Sequence, residues 1–291
     1  FAKTGMYSVI IGAVLNIVLD PVFIFALHMG VAGAAVATVL SQMASCAFVL
    51  SFLFGKKVPV KISFGGYDRK LIQRILLVGF TPFIIIAVDN VMIISMNSVL
   101  QTYGGPGEGD MLITCATIVQ SFMLVITMPL GGITGGTQTI LAFNYGAGQP
   151  DRVKKAQRFI FLLSAGYTTI LFILAQTAGH IFVRLFTSDP ALIAEAAKTI
   201  KIYTLAVIPL SIQYVIVDGF TGLGKVQLSL PLSFFRKLVY FLPLFLLPRF
   251  FGARATFYAE PISDIIAPVV SIFVYAVAMK RILKKPVIPN F

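Results

Sequence analysis

An aspartate stands in the middle of an otherwise apolar run, Asp20 in SVIIGAVLNIVLDPVFIF, residues 8–25. A run of roughly 20 apolar residues is long enough to cross a bilayer. An acid at that depth costs about 2.5–3.5 kcal/mol, so it lines a polar cavity or binds a partner. Asn16 lies one turn earlier and shares the face of Asp20. Pro21 follows and removes a backbone hydrogen bond, which frees a carbonyl close to the acid. Carboxylate, amide and loosened carbonyl together suit a small hard cation or a proton. The competing reading of Asp20 is a buried structural hydrogen bond to Asn16.

Further acids fall inside apolar runs. Asp89, Asn90 and Asn97 form one polar stripe that belongs on a cleft or a helix–helix contact, and the spacing leaves open which. Glu260 and Asp264 are four residues apart beside Pro261. They are read first as a structural pair with Arg236 or Lys237 as partner, and second as transport residues. Asp218 completes the set. No nucleophile or metal-binding motif stands near these acids, and DDxxD, HExxH and GxSxG are all absent from the sequence, so an intramembrane enzyme is the weaker alternative. The run 129–148 is Gly-rich but lacks the ending of a phosphate loop, and close helix approach or a hinge is expected there. Met92, Met96, Met123 and Met128 are read as packing, with a promiscuous cleft as the alternative.

The elements that must hold these residues are membrane helices. Hydrophobic residues make up 58% of the 291, charged residues 12%, and mean hydropathy is +0.93. A soluble domain carries about 25% charged residues. Eight spans are predicted, at about 5–27, 31–54, 72–100, 111–142, 156–177, 194–222, 226–251 and 255–280. The net charge of +12 sits in short loops rather than on an aromatic-interleaved basic face, so no nucleic-acid partner is expected. If the first connector faces outward, one side collects sixteen Lys and Arg: Lys3, those of 56–74, 152–158 and 280–285, and Lys225. Arg184, Lys198, Lys201, Arg249 and Arg254 make five on the other. That bias puts the C-terminus in the cytoplasm. Arg249 and Arg254 are read as snorkelling anchors, and Cys46 and Cys115 as small core residues.

A shift of 222 residues aligns Pro21 with Pro243, Gly30 with Gly252, Ala37 with Ala259 and Ser41 with Ser263. Spans one and two would then repeat spans seven and eight, as a parallel repeat with a six-helix period. On that repeat a complete molecule would have twelve spans, with four of them expected ahead of Phe1.

NIVLDPVFIF, the following GVAGAAVATVLSQ, FNYGAGQPDRVKKA at 143–156 and AEPISDIIAP near the end resemble the multidrug and toxic compound extrusion (MATE) family over essentially the whole chain. The resemblance implies an all-α integral membrane fold of twelve helices in two lobes. Residues 1–55 would be the last two helices of the first lobe, 56–71 a cytoplasmic linker, and 72–291 the second lobe. It also implies export of organic, often cationic, compounds against sodium ions or protons, with no other cofactor. Such a protein would sit in the cell membrane among lipids and act as a monomer. In several members the first-lobe cation site uses the positions of Asn16, Asp20 and Thr38, with a further Asp from the family's first span. Others use an acid where Asp89 stands, one carbon shorter here, and an Asp in the span of Asp218, which lies several residues later than the pattern. Asp20 and Thr38 are predicted at similar depth on antiparallel spans. The oxygens of Asn16, Asp20 and Thr38 should lie within about 8 Å, near enough to share a cation. A lipid-linked oligosaccharide flippase of related fold is the alternative within transport. A passive channel would not need the duplication.

Overall fold

The computed structural model describes residues 2–55, 65 and 68–283. Most of the expected 56–71 linker lies outside them, as do Lys56, Lys57, Lys61, Lys284 and Lys285 of the orientation argument. Among the described residues the chain is nine α-helices and no strand: α1 Ala2–Pro21, α2 Gly30–Leu53, α3 Arg69–Gly104, α4 Glu108–Gly146, α5 Pro150–Val183, α6 Pro190–Tyr203, α7 Val207–Gly222, α8 Val226–Phe251 and α9 Ala259–Ile282. Seven stretches are long and apolar enough to cross a membrane, and α6 with α7 forms an eighth that is bent by 49°. The chain is an all-α multi-pass membrane protein.

The expected 194–222 span is therefore two helices. Pro209 suits the break. It lacks an N–H, is well tolerated in the first turn of a helix, and stands third in α7. The chain turns just ahead of it through Leu205 N–H to Ile202 O and Val207 N–H to Thr204 O. Other boundaries run past the membrane: α4 is 39 residues long and leaves only 105–107 as the connector from α3. Gly105 and Gly107 turn that corner with φ of 65° and 88°, a region that favours glycine. Asp189 caps α6 by accepting from the Ala191 N–H at 2.9 Å, with Pro190 next at the first helical position.

The chain divides into two compact units, Phe1–Leu76 and Leu77–Phe291, with the division inside α3. The first unit is a hairpin of α1 and α2. In the second, α4 packs on α5, α6 and α7; α5 packs on α6 and α7; and α7 packs on α8 and α9. One buried cluster gathers Met96, Leu112, Ile126, Ile200, Leu210, Leu244 and Phe257, and another Leu141, Ile160, Ile216, Phe220 and Leu232. Between the stretches that these clusters take from α4, α7 and α9 fall the polar residues Thr134, Gln213 and Ser271.

Three expectations change. Cys115 is buried but Cys46 is exposed, because α2 buries only its small-residue face, Gly33, Ala37 and Ser41. Arg254 is more than an anchor: its Nε lies 3.3 Å from Glu108 and 3.1 Å from Glu195, tying the turn after α8 to α4 and α6. The glycine run shows no close approach. Nothing among the described residues lies within 4 Å of where a Cβ would stand at Gly131, Gly132, Gly135 or Gly136. Met92, Met96 and Met123 are core, while Met128 is 70% exposed.

Candidate cation sites

The first unit's polar group depends on how closely its two helices approach. Pro21 ends α1, and Val22–Ala26 continue as one π-helical turn closed by Leu27 N–H to Val22 O at 2.9 Å. His28 and Gly30 reverse the chain with φ of 52° and 55°. Gly33 then passes so near the turn that a Cβ there would stand 2.7 Å from Phe23 O. Gly33, Ala37, Ser41 and Ser45 are spaced at four and form one small-residue seam, the arrangement that lets membrane helices touch. Gly12 faces Ser45 across it, and Ser45 Oγ donates to Ser8 O at 2.8 Å.

At that separation short polar side chains reach across. Asn16 Nδ2 lies 3.2 Å from Asp20 Oδ1 and 3.5 Å from Thr38 Oγ1. One amide nitrogen thus touches both other groups, and the three oxygen-bearing side chains share one place. Thr38 gives its own proton to Ala34 O at 2.9 Å, which leaves its oxygen as an acceptor. Asn16 and Asp20 are half-buried and Thr38 is exposed. No salt bridge among the described residues includes Asp20. Carboxylate, amide carbonyl and hydroxyl are hard oxygen ligands of the kind that bind alkali cations or protons.

The second unit handles its acids differently. Arg236 and Lys237 are neighbours on α8 and so point about 100° apart. Lys237 reaches α3, with Nζ 2.5 Å from Asp89 Oδ1 and 2.7 Å from Ile85 O. Its side chain is 6% exposed, against 47% for Asp89. Arg236 turns to α9, where Nη1 lies 3.2 Å from Glu260 and 2.9 Å from Asp264. The Tyr203 hydroxyl adds a contact of 3.4 Å to Glu260. Glu260 and Asp264 are thus brought together on Arg236, one of the two partners read for them. Asn90 donates to Ile86 O of its own helix and is exposed, and Asn97 is half-buried. Asp218 stands apart from this network and meets Thr134 of α4 at 2.5 Å.

Sequence reasoning missed Thr134, Tyr203 and the pair Gln213–Ser271, in which Gln213 also donates to Leu232 O at 3.2 Å. The available signal was polarity in an apolar run: a buried amide needs a partner, although its spacing cannot say which.

The MatE family profile matches residues 85–246. The chain is 22% identical over 262 residues to the multidrug export protein MepA of Staphylococcus haemolyticus, covering 89% of this chain and 57% of that protein. A second MepA, from Staphylococcus saprophyticus, is 20% identical over 280 residues, 96% of this chain and 61% of its own. The chain therefore spans about three-fifths of the length of these relatives. Among solved structures, the outward-facing conformation of a multidrug resistance MATE family transporter of the MOP superfamily superposes with a TM-score of 0.84 at 22% identity. That match covers 96% of this chain and 63% of that one. A MOP superfamily transporter from Pyrococcus furiosus, described as having a binding pocket of reverse polarity, also gives 0.84, at 23% identity and with 96% and 63% covered.

Proposed function

The chain belongs to the MatE family, and on that premise we propose that it serves the secondary active export of organic, often cationic, compounds in exchange for sodium ions or protons. The observation that carries the exchange is the Asn16–Asp20–Thr38 group, a carboxylate inside a membrane helix held, among the described residues, by the neutral Asn16 amide, which also reaches Thr38. Such a carboxylate is attracted to whichever small cation reaches it, and sodium and protons compete for the same oxygens. The protein works as a monomer in the cell membrane, with its C-terminus in the cytoplasm and lipids and small organic molecules as its partners. For a flippase, the basic groups available to a lipid pyrophosphate among the deep residues are Arg236 and Lys237, and both are already held by carboxylates.

The test is export of a fluorescent organic cation against its gradient, with the protein expressed at its natural length. Asp20→Asn keeps size and polarity but removes the charge. Export should fall to background while the amount of protein in the membrane stays near normal. Unchanged export would make Asp20 a structural residue and end the exchange reading at this site. Orientation is tested separately: a single Cys at Gly65 should react with an impermeant reagent only from the cytoplasmic side, and one at Gly107 only from outside. The opposite pattern overturns the charge-bias argument.

A further inference from the structure

Away from the polar groups already described, the second unit has a cavity of about 440 Å³. Glu195 and Lys198 of α6 form one wall and Leu247 and Phe251 of α8 another, and Arg254 with Ile262 of α9 closes it. Lys198 lies eight residues after Pro190, the start of α6. Leu247 is four residues before the end of α8, and Ile262 three after the start of α9. At 1.5 Å per residue the cavity therefore sits about 4–12 Å below these helix ends. That is the depth at which a leaflet passes from headgroups to hydrocarbon.

The charges around it leave a cation over. Arg254 is engaged by Glu195 at 3.1 Å and by Glu108, outside the lining, at 3.3 Å. Lys198 is exposed, as is Lys201 one turn further along α6. No salt bridge among the described residues includes either lysine. Three cations against two carboxylates give an excess of one positive charge, which one phosphodiester neutralises. A lysine on a membrane span is costly unless it is paired or its ammonium reaches the headgroups, and α6 with α7 is such a span.

The cavity also continues into an apolar track. From Ile262, residues Ile266, Val269 and Phe273 follow at helical spacing down α9 and are 42%, 63% and 71% exposed. The eleven residues from Ile262 to Phe273 rise ~16 Å, about half of a ~30 Å hydrocarbon core. A charged mouth and an apolar track one leaflet deep have the form of an amphiphile.

We propose that this cavity binds one phospholipid of the adjoining leaflet. Its phosphate lies among Lys198, Lys201 and Arg254, and its acyl chains run along the α9 track. The phosphate then joins α6 to the turn after α8, the same two elements that Glu195 and Arg254 join. The inference does not rest on the antiport reading, and it takes from the charge-bias argument only that the leaflet is the outer one. An organic cation could stack on Phe251, but it would sit beside three positive side chains.

The experiment is native mass spectrometry of the natural-length protein in detergent, titrated with phosphatidylglycerol or with diacylglycerol of the same chains. The wild type should retain one phosphatidylglycerol and no diacylglycerol. Lys198→Gln and Lys201→Gln should each weaken that binding roughly fivefold. Val269→Asn, on the track, should weaken it with no change of charge. Arg249→Gln should leave it unchanged, because Arg249 is exposed on α8 about 200° around from Leu247 and Phe251. All four positions are exposed, so the variants keep the core intact. The proposal is overturned if both lysine variants bind as the wild type does, if Arg249→Gln weakens binding equally, or if diacylglycerol binds as tightly. Displacement by inorganic phosphate, or by a quaternary ammonium dye whose binding is lost in Glu195→Gln, would overturn it too. Because binding is read without transport, a failure here is distinct from unchanged export in Asp20→Asn.

Discussion

The hairpin of α1 and α2 and the hairpin of α8 and α9 share a scaffold but treat charge in opposite ways. At an offset of 222 residues, Gly30 and Gly252 both turn the chain at positive φ, 55° and 80°. Ala37 and Ala259 are both fully buried. Ser41 and Ser263 are both buried, and each donates to its own helix, to Ala37 O at 2.8 Å and to Glu260 O at 2.9 Å. The polar positions then diverge. Asn16, Asp20 and Thr38 correspond to Leu238, Leu242 and Glu260, while Val14 and Leu15 correspond to Arg236 and Lys237. The first hairpin holds an acid with neutral groups; the second holds its acids with cations. An ion-paired carboxylate is a fixed part of the framework. One held by a neutral amide can exchange its counter-ion.

Removing a cation should break this contrast most sharply. Arg236→Met strands Glu260 and Asp264, and uncovering a buried pair in this way costs about 3–5 kcal/mol. The midpoint of thermal unfolding in detergent should drop by many degrees. Adding Glu260→Gln and Asp264→Asn should restore most of the loss. If Asp20→Asn lowers the midpoint as far as Arg236→Met, the division between fixed and exchangeable acids is lost.

Next in size is the turn. Gly33 corresponds to Ala255, which already carries a Cβ, whereas a Cβ at Gly33 would stand 2.7 Å from Phe23 O. Gly33→Ala should therefore cost about 1–3 kcal/mol through backbone displacement. Equal unfolding midpoints for wild type and Gly33→Ala would mean that the π turn yields at no cost. Smallest are the two serines: Ser41→Ala and Ser263→Ala should each change stability by about 1 kcal/mol or less, and by similar amounts. A large difference between them would show that the shared seam bears load in one hairpin only.

What the sequence disclosed follows from what is local. Eight apolar runs, the shared face of Asn16 and Asp20, and the equal depth of Thr38 are consequences of helical rise and period. The chemical complement of Asp20 was legible because Asn16 lies 4 residues from Asp20 and 22 from Thr38 along one hairpin. Asp89 and Lys237 are 148 residues apart, and Thr134 and Asp218 are 84 apart. Nothing in either neighbourhood encodes such pairings. Of the 23 Lys and Arg, sixteen and five fall to the two sides; the two left over, Arg236 and Lys237, are not loop residues, and that remainder was the visible trace of the internal network. The break at Leu205 was hidden because Pro209 is compatible with a helix start, and only the packing of α6 and α7 decides that a helix starts there.

The glycines of α4 bear on its mechanics. In a helix interior glycine is less favourable than alanine by about 0.8–1.0 kcal/mol, and at Gly131, Gly132, Gly135 and Gly136 there is open space for a methyl group. Every one of these positions could therefore be stiffened by a single carbon atom. Four compliant joints within six residues give the longest helix of the described chain its lowest bending rigidity beside Thr134, so that elastic work done on either end of α4 is concentrated where Asp218 meets it.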